Sequence, residues 1–329
     1  MPEGFRQPMS HISKREFLKL TATVGASIII SRDFYGEVPA IPKTYIYKNT
    51  GACQLKADVY SSDARTTKAA ILWIHGGGLI FGSRAAPPEW LDLEGHYVVV
   101  SIDYRLAPKT KLPTIIEDLR DAYRWLCQRG PKLFGIDPDK VAVAGESAGG
   151  YLTLMSGFSV EPRPKVLLAL SGYGDITLPW YTRPSPFYLQ QALVSKGEAN
   201  RSVGDACVST LGEEDTRRYR FYLYCRQNGI WPREVAGHDP DIEPRWFDPY
   251  CPVRNVSAKY PPTLLIHGTD DTDVPFEESV NMEEKLSRFR IKHEFLRVPG
   301  GSHCLANDLP SVKTMTFRKA MDFVTTQMS

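Results

Sequence analysis

Gly145-Glu146-Ser147-Ala148-Gly149 sets a serine between two glycines, directly after the apolar run Val141-Ala142-Val143-Ala144. A serine hydroxyl is a poor nucleophile until a base takes its proton and a third group orients that base. In a G-x-S-x-G turn between strand and helix, the serine is held in a strained conformation with its Oγ exposed at the carboxyl edge of a sheet. The first amides of the following helix favour negative charge developing at the same point. Upstream, Ile71-Leu72-Trp73-Ile74 feeds into His75-Gly76-Gly77-Gly78. Three glycines let the backbone approach a carbonyl oxygen, so the amides of Gly77 and Gly78, with that of Ala148, are the expected oxyanion donors. His75 reads as a structural hydrogen bonder of this loop, and Leu79 as an adjoining pocket residue.

Where a G-x-S-x-G serine is used this way, the chain order is serine, then acid, then histidine. Four histidines follow Ser147: His238, His267, His293 and His303. His303 ends Pro299-Gly300-Gly301-Ser302-His303, a loop just past the last predicted strand, and is the expected base. His267 sits at a strand end, where it would position the acid loop. His293 begins a strand, and His238 falls within an insertion. The acid loop, His267-Gly268-Thr269-Asp270-Asp271-Thr272-Asp273-Val274-Pro275, offers three aspartates that spacing alone does not separate. It lacks the glycine and terminal glutamate of an EF-hand, so calcium is not indicated.

The elements that must carry these residues are legible as alternating runs. Residues 45–47 and 55–60 flank Asn49-Thr50-Gly51, a predicted β-hairpin. Residues 69–74, 97–102, 141–144 and 166–170 are short, nearly continuous apolar runs, continued by 264–266 and 295–298. Such runs suit strands buried on both faces of a parallel sheet. Helical spacing appears over 114–129, with Gly130-Pro131 as the expected stop, over 276–288, and around Phe317, Ala320, Met321 and Val324. The fold class is therefore α/β, with a mostly parallel doubly wound sheet. Residues 173–250 interrupt the alternation and are rich in aromatics. They read as a helical cap insertion, with Trp180, Tyr181, Phe187 and Tyr188 as candidate pocket residues.

Composition narrows the classes further. A net charge of +2 over 329 residues gives no field for nucleic acid or an anionic membrane. No apolar stretch is long enough for a transmembrane helix. Six dispersed cysteines without a C-x-x-C pair disfavour zinc ribbons and disulfide scaffolds. Residues 1–40 stand apart. Ser13-Lys14-Arg15-Glu16-Phe17-Leu18-Lys19 before an apolar segment has the layout of an export leader with twin-arginine-like wording, favoured over a cytoplasmic protein with an N-terminal cap helix. Residues 41–329 form the catalytic domain on this reading.

His75–Gly78, Asp103-Tyr104-Arg105-Leu106-Ala107-Pro108, the run 145–150 and the Asp-x-x-Val-Pro at 271–275 occur in one order. In this the chain resembles the hormone-sensitive-lipase-like (type IV) carboxylesterases of α/β-hydrolase fold-3, over roughly residues 44–326. The resemblance implies that Asp271 is the acid of a Ser147–His303–Asp271 triad. It also implies that Asp103 and Arg105 support the oxyanion loop. The implied activity is cleavage of esters of small to medium acyl groups, with a small-molecule substrate, no cofactor and no metal. The same triad acting on an amide or a lactone, or transferring the acyl group, is the alternative, and a non-catalytic binding protein a more distant one. A homodimer is compatible with the sequence. Glu146, where the family usually has aspartate, and Lys109, where glutamate often stands, depart from the pattern without removing a catalytic group.

Overall fold

The computed structural model describes residues 42–61, 67–85, 87–92, 96–210 and 216–329. The leader or N-terminal cap segment expected over residues 1–40 lies outside them. Among the described residues eight strands form one sheet in the order β1-β2-β4-β3-β5-β6-β7-β8. The hairpin of β1 (Lys43–Asn49) and β2 (Gln54–Tyr60) is antiparallel, and β2 meets β4 (Tyr97–Ile102) antiparallel. From β4 onward, β3 (Lys68–Ile74), β5 (Ile136–Glu146), β6 (Val166–Leu170), β7 (Thr263–Gly268) and β8 (His293–Val298) are parallel.

The central strands read as unbroken apolar runs because both of their faces are covered. Along β3, Ala70, Leu72 and Ile74 enter one core while Ile71 and Trp73 enter the other. Side chains alternate across a strand, so a run with no polar position needs a layer on each side. Helices α1 (Leu112–Phe134), α2 (Ala148–Ser159) and α6 (Glu277–Arg288) contribute to the first core. Helix α7 (Pro310–Met328) contributes Phe317, Ala320, Phe323 and Val324 to the second, with Phe317 stacked on Trp90 at 4.3 Å.

Helix α1 corrects one expectation. It does not stop at Gly130-Pro131 but runs through both to Phe134, and Gly135 makes the left-handed cap at φ +69°. A proline in the last helical turn removes only one backbone bond, whereas a left-handed residue ends the helix outright. Between β6 and β7 the described residues form α3 (Lys196–Val203), α4 (Tyr219–Asn228) and α5 (Trp231–Ala236) besides several single turns. No helix among the described residues is long and apolar enough to cross a membrane.

Candidate active site

Parallel strands deliver their carboxyl ends to one edge of a sheet, and the loops leaving that edge converge there. The loops after β3, β5, β7 and β8 carry, in turn, His75–Gly78, Ser147, Asp270–Asp273 and His303.

Ser147 caps α2 with φ +52° and ψ −119°, a region that costs a non-glycine residue on the order of 1–3 kcal/mol. Its amide is held by Leu170 O at 2.8 Å. Packing leaves the turn no slack: a Cβ on Gly149 would lie 1.9 Å from Ile74 O. The glycine loop comes in alongside, since a Cβ on Gly76 would sit 3.3 Å from the Ser147 Cβ. Gly77 and Gly78 adopt φ of +98° and +58°, and Gly77 O closes the loop by accepting from the amides of Ile80 and Phe81. Among the described residues the amides of Gly77, Gly78 and Ala148 donate to no backbone acceptor.

The loop is braced from both sides. Tyr104 OH donates to His75 O at 3.0 Å, and the Ala107 amide donates to Leu79 O at 2.8 Å. From the insertion, Trp231 Nε1 donates to Gly78 O at 2.8 Å and Arg218 Nε to Ile80 O at 2.6 Å. His75 stacks on Tyr104 at 4.3 Å and its Nδ1 lies 2.8 Å from Gly76 O. Burial lowers its pKa to about 4, so it is a neutral structural group. The support expected from Asp103 and Arg105 is only indirect. Asp103 pairs with Arg84 at 2.7 Å, and Arg105 grips Asp118 of α1 through two nitrogens at 2.7 and 2.6 Å. Tyr104 and Ala107 of the same motif touch the glycine loop instead.

The loops after β7 and β8 are laced together: the amide of Thr269 donates to Val298 O and that of Asp270 to Gly301 O, each at 3.0 Å. This brings Asp271 Oδ2 to 2.7 Å from His303 Nδ1. The Asp271 side chain is buried, and its Oδ1 accepts from the amides of Asp273 and Val274 at 2.9 Å each. His267 Nε2 is 3.1 Å from Asp271 Oδ2, and its Nδ1 is 2.7 Å from Ser279 Oγ. Of the three aspartates only Asp271 meets a histidine Nδ1 in this way. Asp270 is exposed and bonded to Thr269. Burial opposes ionisation of Asp271, but His303 and His267 outweigh it and hold the carboxyl well below its ordinary range.

Burial likewise opposes charge on His303, and its neighbours overcome that and raise its pKa well above the ordinary value. Cys304 acts on the ring only as a thiolate, and burial pushes that thiol up to about 11. The raising charges at neutral pH are therefore Asp271 and Asp273. His303 Nε2 faces Asp273 Oδ2 at 3.5 Å. Among the described residues it has no hydrogen bond to Ser147 Oγ. Catalytic hydrogen bonds of this kind often tighten only when substrate is present.

A groove of about 600 Å³ opens beside the acid loop, walled by Trp180, Phe187, Arg226, Asp271, Asp273 and Phe276 among others. Ser147, His303 and the glycine loop are not among its walls. Trp180 and Phe187 thus reach a groove, whereas Leu79, Tyr181 and Tyr188 are core residues at 0, 1 and 2% exposure. Tyr181 stacks on Trp231 at 4.1 Å, and Tyr188 lies against the Arg226 guanidinium. An aromatic in an insertion can serve the insertion's own packing, and sequence spacing does not distinguish the two uses. Arg218, Tyr222, Arg226 and Trp231 carried no motif that would have marked them. No cluster suited to a metal ion occurs among the described residues.

The family described as BD-FAE matches residues 57–286. Esterase LipC of Mycobacterium tuberculosis is 29% identical over 253 residues, covering 75% of this chain and 56% of that protein. The chain thus spans little more than half the length of that curated relative. An alpha/beta hydrolase superfamily protein from Enterococcus faecalis superposes with a TM-score of 0.66 at 22% identity, covering 86% of this chain and 98% of that one. Propionate-bound esterase Est2 of Thermogutta terrifontis gives 0.61 at 20% identity, covering 86% and 93%. The sheet order and these likenesses make the fold that of the α/β-hydrolases.

Proposed function

The chain belongs to the BD-FAE family, and on that premise we propose that it is a serine hydrolase cleaving carboxylic esters of small to medium acyl groups. The observation that carries the reading is the 2.7 Å contact of Asp271 with His303 Nδ1, beside a serine held at φ +52°. Asp271 accepts a hydrogen bond from Nδ1–H and so leaves Nε2 as the basic edge of the ring. Ser147 Oγ attacks the ester carbonyl while His303 takes its proton. The tetrahedral oxyanion is held by the unpaired amides of Gly77, Gly78 and Ala148. His303 then protonates the leaving alcohol, and water, activated by the same imidazole, releases the acyl group. The likeness to Esterase LipC supports the ester bond as target, and the propionate held by Est2 supports a short acyl group.

Hydrolysis of p-nitrophenyl esters from acetate to decanoate tests this directly. The parent should turn over with an optimum at short chains, and Ser147→Ala should lose on the order of 10³-fold or more in kcat. A folded parent that neither turns over any ester nor reacts with a fluorophosphonate at Ser147 would overturn the reading.

A further inference from the structure

His303 lies between two carboxylates. Asp271 holds Nδ1 at 2.7 Å, and Asp273 Oδ2 faces Nε2, the working edge of a base, at 3.5 Å. Asp273 is itself tied to the insertion. Its Oδ1 accepts from Tyr222 OH at 2.7 Å and from Arg226 Nη1, while Arg226 Nη2 donates to its carbonyl oxygen at 3.0 Å. Tyr222 and Arg226 are four residues apart on α4, so both project from one face of that helix. Arg226 is 2% exposed. Its guanidinium carbon lies 4.9–5.7 Å from the ring centres of Trp180, Tyr181, Tyr188 and Tyr222. Among the described residues Asp273 is its one carboxylate partner.

We infer that Asp273 is a positioning residue for His303, with its hold on the imidazole set by Arg226 and Tyr222, so that the insertion is electrostatically coupled to the base. A full negative charge at Nε2 would favour the imidazolium and compete with Ser147 for the ring. Arg226 offsets that charge and keeps the contact weak enough to be surrendered. The other ionisable groups acting on the ring are Asp271, with His267 behind it, Cys304 next in sequence, and Glu146 on the nucleophile turn. Burial raises the pKa of Glu146 and Cys304 alike. None of these groups is altered in the variants below.

The two members of the pair should move His303 in opposite directions. Asp273→Asn removes the anion, so the imidazolium loses support and the acid limb of kcat/KM should move down by on the order of one pH unit. Arg226→Gln leaves Asp273 less compensated, so the limb should move up. A merely structural role would lower Tm or kcat without shifts of opposite sign. Should Arg226→Gln not fold, the double variant Asp273→Asn/Arg226→Gln has no buried unpaired charge and should still move the limb down, by less than Asp273→Asn, in which the Arg226 cation is left uncompensated.

The inference uses the proposed hydrolase only for its kinetic readout. An NMR titration of the His303 imidazole in the resting protein, assigned with His303→Gln, reads the same shifts without turnover. Opposite shifts by NMR support the coupling even in a protein inert toward esters. An unmoved His303 titration in Asp273→Asn overturns it, whether or not Ser147 is labelled by a fluorophosphonate.

Discussion

Ser147, His303 and Asp271 each sit under a constraint that the residue itself does not supply. Ser147 keeps a positive φ because its amide is fixed by Leu170 and Gly149 packs against β3. His303 keeps its ring orientation because Asp271, locked by two amides and His267, holds Nδ1 at 2.7 Å. Asp271→Asn replaces an acceptor by a group that can offer Nδ2–H to the ring and so stabilise the wrong tautomer. We expect kcat toward p-nitrophenyl acetate to fall by about 10³–10⁴-fold with KM little changed. Steady-state kinetics on the folded variant check this, and a loss below tenfold would assign the orienting role elsewhere.

At the scale of elements, the contact between the end of β3 and the start of α2 sets how close the glycine loop comes to the serine. Gly149→Ala puts a methyl group 1.9 Å from Ile74 O, a backbone atom that cannot step aside. The expected cost is about 3 kcal/mol, read as a drop in urea midpoint, and an unchanged midpoint would mean the turn is looser than described. Helix α5 acts on the same loop through Trp231, whose Nε1 donates to Gly78 O while its ring stacks on Tyr181. Trp231→Phe keeps an aromatic ring in place and removes the donor. It should cost roughly 1–2 kcal/mol of stability and lower kcat more than it raises KM, because the brace lies behind the proposed oxyanion amides.

Across the whole molecule, the titrating groups combine into a dependence of stability on pH. Burial pushes Glu278 up to about 7, against three N–H donors from Gly174, Asp175 and Trp180, and Asp103 up to about 6 despite Arg84. Both remain protonated in the folded chain after they have ionised in the unfolded one, so their contribution is lost progressively from about pH 4 until pH has passed about 6 for Asp103 and about 7 for Glu278. His303, raised by Asp271 and Asp273, works in the same direction, with stability lost as pH climbs above the ordinary imidazole range. Asp271 works oppositely, and its contribution is lost as pH falls below about 4. Tm measured from pH 5 to 8 should therefore decline, and Glu278→Gln should flatten the decline between pH 5 and 7. A flat parent profile would show that the donors around Glu278 keep it ionised.

Sequence alone determined the sheet, the strand-to-helix turn at Ser147, the glycine loop and the two loops that carry the proposed acid and base. Each of those is written locally, in unbroken apolar runs, in glycines where backbone must pass close, and in chain order. It left three aspartates open on spacing, and it named Tyr181 and Tyr188 with Trp180 and Phe187 as candidate pocket residues without separating the two that are buried in the core from the two that reach a groove. Only the tertiary structure decided these points, because they turn on contacts between segments far apart in the chain. Asp271 is singled out by His303, 32 residues on, and Asp273 by Arg226, 47 residues before it. A charge's partner across such a separation leaves no periodicity or motif behind, since its position is set by how the insertion packs over the sheet edge.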